Sequence, residues 1–187
     1  MPLGQMPVLD VTDSSGKTER YTQTCSLIRM TGEWFGLAGE TQIQKARIDE
    51  AAECIFEVFA AYARGNWEKD EARKAEMIAA FRDNLIPRIF KYLDGAVAGN
   101  GGKNIAGTDK VGSTVSLFTF FSFFFSFSQF SFADLALVTL LDDIHFAKFY
   151  EWSELENQYP NLAKLKKSIE STPEIKAYLE NREITPF

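Results

Sequence analysis

The chain has 187 residues, of which 45% are hydrophobic and 25% are charged, a composition typical of one large or two small globular domains. Its 20 basic and 26 acidic side chains give a net charge of −6, which is unlike the basic surface of a nucleic-acid or anionic-membrane binder. Two cysteines are too few for a disulfide framework, and a single histidine excludes a histidine-rich metal site.

The first 36 residues predict a β-hairpin followed by a helix. Two short runs with β-branched residues, 6–11 and 18–23, flank a turn cluster at 13–17 that contains Asp, Ser and Gly. This arrangement is typical of two paired strands. From Thr24 to Phe35 the apolar residues follow a helical spacing, and Gly36 ends the pattern. No basic region leads into an apolar stretch at the N-terminus, so we predict no signal peptide and expect a cytosolic location.

Two long helices are predicted next. Apolar residues three and four positions apart indicate one helix over 41–62 and another over 68–92. Pro87 lies inside the second pattern and should kink or break that helix, because proline lacks the backbone N–H that an α-helix uses. Residues 94–107 are rich in Gly and Asn, and we expect a loop there.

The C-terminal part predicts three more helices. Ser131 is a natural N-cap, and Asp134 can answer it as a variant of the capping box. A shorter helix follows Pro160, and the last one starts at Thr172-Pro173, a cap followed by proline at the first helical position. In that last helix we expect the inward side chains to be Ile175, Tyr178 and Leu179. The chain is therefore predicted to be a short β-β-α unit followed by an all-α bundle.

Several stretches occur in an order and spacing that resemble one family: Gly4-Gln5-Met6-Pro7-Val8-Leu9, Gln23-Thr24-Cys25-Ser26-Leu27-Ile28-Arg29, Gly36-Leu37-Ala38-Gly39, Ser131-Phe132-Ala133-Asp134, and the tail from Tyr159 to Leu179. On these motifs the chain resembles a glutathione S-transferase, closest to the sigma class and its prostaglandin D synthase-like relatives. The resemblance implies a mostly α fold in two domains. Residues 1–38 would be the remnant of a thioredoxin-like α/β domain, and residues 41–187 an all-α C-terminal domain.

The resemblance also implies where the tripeptide glutathione would bind. Pro7 matches the family's cis-proline, which turns the backbone N–H and C=O of Met6 toward the cysteinyl part of glutathione. Gln5 matches a position whose side chain also reaches the tripeptide. A cis bond before proline costs only about 0.5–1 kcal/mol, so a fold can impose it.

Gln23 and Thr24 match a Gln-Ser pair that holds the γ-glutamyl carboxylate at a helix N-terminus, where backbone donors favour an anion. Thr24 keeps the hydroxyl group but departs from the usual Ser. Glu57 matches a position at which relatives place an Asp that faces the site of the partner subunit. The resemblance therefore implies a homodimer whose partners are glutathione and a small hydrophobic electrophile, with no metal, nucleic acid or membrane.

The family's reaction is the attack of glutathione thiolate on an electrophile. A free thiol is mostly protonated at pH 7, and in this class a tyrosine hydroxyl favours the thiolate. The family carries that tyrosine ahead of the Gln-x-Pro motif, whereas Tyr21 lies in the predicted second strand and Tyr62 on a bundle helix. We assign no catalytic residue and expect the chain as written not to activate glutathione, with Met1 an internal methionine of a longer protein.

Two functions stay open at this point. The parent protein could be a transferase that conjugates glutathione to electrophiles, or the chain could be a non-catalytic module of the same fold that binds ligands or dimerises. Structural explanations also exist for the motifs, since Met6-Pro7 could be an ordinary trans start of a strand and Gln23-Thr24 only a helix start. We expect Cys25 and Cys54 to be core residues and His145 to be packed or at the surface.

Residues 111–129 depart from the family's pattern. Eight of the chain's 17 phenylalanines lie between positions 111 and 130. An intron has a GT donor, a pyrimidine tract and an AG acceptor. Every Val codon begins with GT, codons for Phe and Ser can consist almost wholly of pyrimidines, and Gln can be encoded by CAG. The stretch from Val111 to Gln129 has these features in this order, and we hypothesise that it is a translated intron. A genuine insertion and a membrane segment are the alternatives, although its apolar part has only thirteen residues against the roughly 20 that a span needs.

Overall fold

The computed structural model describes residues 2–108 and 130–182. The retained-intron hypothesis and its two alternatives concern residues 111–129, which lie outside the described residues. The described part contains a two-stranded antiparallel sheet and eight α-helices. None of these helices combines the length and the apolar character of a membrane-spanning segment.

The predicted hairpin is confirmed. Strand β1 (Val8–Thr12) pairs with strand β2 (Thr18–Thr22). The turn forms because the carboxylate of Asp13 accepts the backbone N–H of Ser15 at 2.8 Å, while Gly16 adopts a φ of 83° that other residues rarely take. The register pairs Val8 with Thr22, Leu9 with Tyr21, Asp10 with Arg20, Val11 with Glu19, and Thr12 with Thr18.

The helices follow in chain order as α1 (Thr24–Trp34), α2 (Gln42–Trp67), α3 (Glu71–Ala80), α4 (Ile86–Gly99), α5 (Phe132–Phe146), α6 (Trp152–Gln158), α7 (Pro160–Glu170) and α8 (Pro173–Asn181). The largest fully buried side chains come from α2, α4, α5, α6 and α7, and include Ile48, Ile55, Phe90, Leu93, Leu137, Leu141, Leu155 and Leu165. The apolar core therefore sits in the bundle rather than under the hairpin.

The α-helical pattern of the second long helix is interrupted near Pro87, where a kink or break was predicted, but the chain stays helical through the interruption. Helix α3 ends at Ala80, residues Phe81–Leu85 form a π-helical segment, and Pro87 lies in the first turn of α4. Proline offers no N–H to the carbonyl four residues earlier, so the regular α-helical pattern cannot run through this point.

The expectation of a loop over 94–107 was wrong for its first part, because α4 continues to Gly99. Leu93 and Val97 fill the core, which holds this glycine-containing stretch in a helix. Asp94 also has a partner far along the chain, since its carboxylate accepts the backbone N–H groups of Asn161 at 2.8 Å and Leu162 at 3.0 Å. It thereby caps the start of α7.

The capping box of α5 is confirmed. The Ser131 side chain accepts the N–H of Asp134, and the Asp134 carboxylate accepts the Ser131 N–H at 2.7 Å. The same carboxylate accepts the backbone N–H of Ile105 at 2.8 Å, so it also fixes the loop that follows α4. In α8 one expectation was wrong: Tyr178 is 65% exposed, whereas Ile175 packs against the core.

Helix α1 is joined to the bundle by a close contact with α5. Gly32 lies against the ring of Phe132, where an added Cβ would stand only 2.6 Å from the ring carbon Cδ1. The carbonyl of Leu37 accepts the backbone N–H of Phe132 at 3.0 Å. Only glycine allows α1 to lie this close to α5, so the contact anchors the C-terminal end of α1 on the bundle.

Candidate functional site

The structure brings five of the six predicted site residues together around one cleft. The cleft has a volume of about 140 Å³. It opens between the segment that precedes β1 and the junction of β2 with α1. Its lining consists of Leu3, Gln5, Met6, Pro7, Thr22, Gln23 and Thr24.

The Met6–Pro7 peptide forms one wall, and it is cis. Because the β1–β2 register begins at Val8, the backbone N–H and C=O of Met6 lie outside the ladder between the two strands. The Met6 side chain is 74% exposed and fills no core position. The backbone polar groups of Met6 are therefore not used by the β1–β2 ladder, and the residue lines the cleft.

The opposite wall is the start of α1. Gln23 immediately precedes the helix with a φ of 76°, in a region that favours glycine, and its side chain makes no cap hydrogen bond. Backbone strain of this kind persists where the surrounding structure enforces it, and it is common at ligand sites. The first intrahelical bond runs from Leu27 N to Gln23 O at 3.0 Å. The N–H groups of the first turn are thus available to an anion, which the helix dipole also favours.

The lining of the cleft contains no ionisable side chain. The nearest charged groups along the hairpin are already paired, since Arg20 donates two hydrogen bonds to Asp10, at 2.6 and 2.7 Å. The hydrogen bond from Arg20 lowers the pKa of the Asp10 carboxyl. A carboxylate bound in the cleft would therefore be held by backbone and amide dipoles rather than by a lysine or arginine.

None of the chain's six tyrosines lines the cleft. Tyr21 stands on β2 and donates its hydroxyl to Glu19 at 2.7 Å, an interaction that raises the pKa of the phenol. Tyr62 lies on α2, where its ring packs against Phe81 and Phe149 at centroid distances of 6.0 and 5.7 Å. Neither hydroxyl is placed to hold a thiolate in this cleft.

Glu57 is the predicted site residue that the structure does not bring to the cleft. It lies on α2, and its carboxylate pairs with Nη2 of Arg88 from α4 at 2.7 Å. The predicted role of Glu57 concerns a second subunit, so its part in a glutathione site stays a prediction.

The other residues considered in the sequence have structural surroundings. Cys54 packs against the core, whereas Cys25 is half-buried and lies outside it, which corrects the expectation for Cys25. Burial, and to a lesser extent the nearby Glu53 carboxylate, raises the pKa of the Cys25 thiol and keeps it protonated.

The His145 ring packs on Trp152 with a centroid distance of 4.7 Å. Within residues 2–108 and 130–182 no cluster of His, Cys, Asp or Glu could hold a metal ion.

Sequence reasoning missed two residues of the cleft and the ion pairs between α1 and α2. Leu3 and Thr22 line the cleft beside the predicted residues. Leu3 lies two positions before Gln5, and Thr22 lies directly before Gln23; this nearness in the sequence was the available signal. Arg29 of α1 pairs with Asp49 and Glu53 of α2. No sequence pattern could indicate these pairs, because they depend on how two helices meet.

Comparisons with known proteins agree on one group. A family model for the C-terminal domain of glutathione S-transferases matches residues 56–182. Glutathione S-transferase 2 of Manduca sexta is 27% identical over 96% of this chain and 75% of its own length. S-crystallin SL11 of Nototodarus sloanii is 24% identical over 100% of this chain and 78% of its own length. Prostaglandin synthase D of Nilaparvata lugens is a structural match with a TM-score of 0.74, 23% identity, and coverage of 98% of this chain and 77% of that chain.

Proposed function

The chain belongs to the glutathione S-transferase family, and on this basis we propose that it binds glutathione in the cleft between the Met6–Pro7 peptide and the start of α1. The family and the mostly helical fold predicted from the sequence are confirmed. The observation that carries the proposal is that the cis peptide and the uncapped N-terminus of α1 face one cleft.

The γ-glutamyl and cysteinyl parts of glutathione each have a complementary group in this proposal. The γ-glutamyl carboxylate binds the first-turn N–H groups of α1 and the hydroxyl of Thr24, with the Gln23 amide beside it. The cysteinyl residue pairs with the Met6 backbone as a short extended strand would, and the Gln5 side chain reaches the tripeptide. A charge at a partly buried helix N-terminus gains up to about 2 kcal/mol, which supports binding without a basic side chain.

Conjugation needs one more group than the cleft lining supplies. In that reaction the glutathione sulfur loses its proton and forms a bond to an electrophilic carbon, and in a substitution that carbon's bond to its leaving group breaks, as chloride leaves 1-chloro-2,4-dinitrobenzene. A thiol with a pKa of about 8.5 is largely protonated at neutral pH unless a donor stabilises the thiolate. The cleft lining contains no tyrosine, so we propose that its residues bind glutathione without activating it. Transfer to a small hydrophobic electrophile, as a transferase of this family would perform it, then requires a donor from outside this lining.

The second candidate is a non-catalytic module that binds glutathione or another copy of itself. It is favoured by the same absence of a tyrosine from the cleft lining.

In either case we propose a homodimer in the cytosol, with Glu57 facing the partner subunit. We also propose residues 1–38 as part of a glutathione-binding domain and 41–187 as a helical domain. This division is supported by the buried core cluster, whose described members leave out the hairpin and, apart from Ala38, all follow residue 41.

Calorimetric titration of the chain with glutathione tests the proposal. We expect saturable binding that Gln23→Ala weakens by about tenfold, the equivalent of one hydrogen bond to a charged group. Gln42→Ala removes a similar side chain that is exposed and outside the cleft, and it should leave the affinity unchanged. Wild-type chain that shows no binding would contradict the proposed function.

A conjugation assay with 1-chloro-2,4-dinitrobenzene separates binding from catalysis. We expect the chain to bind glutathione and to form conjugate no faster than glutathione alone in buffer. Catalysed conjugation by the chain would show that some group does activate the thiol, and it would exclude the non-catalytic candidate.

A further inference from the structure

Helix α8 is held on the bundle by few apolar contacts. None of its nine residues is buried. Ile175 is partly buried and packs against the core, whereas Tyr178 is 65% exposed. Most surface helices are held by a wider apolar stripe that faces the core. The position of α8 must therefore depend in part on polar contacts.

One polar contact lies at the C-terminal end of α8. Arg182 directly follows the helix, and its Nη2 lies 3.9 Å from Oδ2 of Asp142 on α5. A positive charge at this end also agrees with the helix dipole. The Asp142 side chain is only 18% exposed, so solvent screens the attraction less than it would at the open surface. Burial and the charge of Asp142 raise the pKa of the neighbouring Asp143, and Arg182 opposes that rise, so it acts on both carboxyls.

A second cation already contacts Asp142. Lys166 of α7 places its Nζ 3.0 Å from Oδ1 of Asp142, and its side chain is only 8% exposed. The same ammonium pairs with Glu170, one turn further along α7, and lies over the Trp152 ring of α6 at 4.8 Å from the centroid. A buried ammonium needs such partners, because an unpaired charge away from water is costly.

Two cations therefore share the Asp142 carboxylate. Lys166 makes the shorter contact, and its positive charge both offsets that of Asp142 and repels Arg182. Glu170 has the opposite influence, because its negative charge offsets that of Lys166. The attraction that holds Arg182, and with it the end of α8, is thus set by the balance of charge on α5 and α7.

We propose that α8 is a releasable helix, and that the balance of charge at Asp142 between Arg182 and the buried Lys166 sets how often it leaves the bundle. Opening of α8 uncovers the surface beneath Ile175 and leaves the core intact, because none of the described buried residues of the core belongs to α8. The charged groups concerned lie on α5, α7 and the end of α8, and not on the face of α2 where Glu57 is proposed to meet the partner subunit. The inference goes beyond the proposed function and does not depend on glutathione binding.

Native-state hydrogen exchange of the full chain measures the opening of α8. In the wild-type chain we expect the α8 amides to exchange faster than those of α5 and α7, through local opening. Arg182→Gln should accelerate exchange in α8 about fivefold and leave α5 and α7 unchanged. Lys176→Gln is the matched control, since it removes an ion pair of the same 3.9 Å length with Glu180 inside α8. That control should change α8 exchange by no more than about twofold.

Equal exchange of α8 and α7 in the wild-type chain would overturn the inference, because α8 would then open only with the bundle. An Arg182→Gln chain that exchanges like the Lys176→Gln control would overturn it as well. In an Asp142→Asn background, Arg182→Gln should lose most of its effect, since the main partner of Arg182 is already neutral. A full effect in that background would show that Asp142 does not hold α8.

Two further backgrounds test the sharing of charge. The effect of Arg182→Gln on α8 exchange should be larger in Lys166→Met, which removes the competing cation, and smaller in Glu170→Gln, which leaves that cation uncompensated. If Lys166 only supported the local fold, both backgrounds would reduce the effect, and the inference would be wrong. Glu170→Gln carries this test by itself if Lys166→Met does not fold.

Fluorescence of Trp152 reports whether the buried cluster survives when α8 opens. Trp34 and Trp67 are exposed, so replacing both with Phe leaves Trp152 as the fluorophore next to Lys166. In that background Arg182→Gln should leave the emission of Trp152 unchanged, because Lys166 stays over its ring. A shifted emission would mean that the substitution disrupts the cluster itself, and it would overturn the release of α8 as a separate unit.

Discussion

The hairpin and the bundle bury their side chains to very different degrees. Four of the five residues of β2 are exposed, whereas α4 places five of its 14 residues in the interior. Hydrogen bonds and ion pairs hold the hairpin, and an isolated two-stranded hairpin is marginally stable in water. Apolar packing holds the bundle. The cleft is lined by residues beside the hairpin, the less stable of the two regions. Ligand affinity and global stability should therefore respond to different substitutions.

The largest effect is expected from Leu141→Ala in the bundle. Leu141 is fully buried on α5, and its truncation leaves a cavity, so the free energy of unfolding should fall by about 2–5 kcal/mol. Leu9→Ala makes the same chemical change at a half-buried position of β1 and should cost less than about 1 kcal/mol. Urea denaturation compares the two. Equal losses would mean that the hairpin is packed as firmly as the bundle, contrary to the contrast drawn above.

Deletion of residues 111–129 should have an intermediate effect. Ile105 and Asp134 are 29 positions apart in the chain and joined by a hydrogen bond, so both sides of the deleted stretch are anchored in the bundle. Shortening that connection to about 10 positions should stabilise the fold by about 1 kcal/mol through loop-closure entropy. The removed stretch is also uncharged, β-prone and free of proline, which favours aggregation.

Denaturation together with light scattering of the deletion variant checks this expectation. Preserved stability with less aggregation would agree with the retained-intron hypothesis, which a transcript sequence tests directly. An unfolded deletion variant would show that the bundle needs residues 111–129.

The smallest effect concerns the pH dependence of stability, whose sign should differ between the hairpin and the bundle. Hydrogen bonding, from Arg20 to Asp10 and from Ser15 to Asp13, lowers the pKa of each of these hairpin carboxyls. Their stabilisation is present above the unfolded pKa, about 3.9, and is lost as the pH falls through the folded value. Burial raises the pKa of Asp134. The contribution of Asp134 to stability is therefore full below the pKa of the unfolded state and declines as the pH rises through the pKa of the folded state.

Hydrogen exchange at several pH values, with hairpin and bundle amides followed separately, measures this difference. Acidification should release the hairpin first, while Asp134→Asn should remove the opposite trend from the bundle. Parallel loss of protection in both regions would contradict the assignment of opposite signs.

Local signals account for what the sequence predicted correctly. The turn at 13–17, the break near Pro87 and the capping box of Ser131 and Asp134 each depend on residues within a few positions of one another. The end of α4 was missed because Asp94 and Val97 have their partners in α7 and in the core. The cleft residues were found through family resemblance, since no periodicity marks Gln5 or Gln23. The ion pairs of Arg29 needed the structure.

The contact between Gly32 and Phe132 has a consequence for motion. A buried aromatic ring turns over only when its surroundings briefly expand. On one side the surroundings of Phe132 are the backbone of α1 itself. The rate at which this ring flips should therefore depend on how often α1 moves away from α5, and the other end of α1 lines the cleft through Thr24. A single aromatic resonance in the bundle would thus report the motion of a helix that belongs to the site.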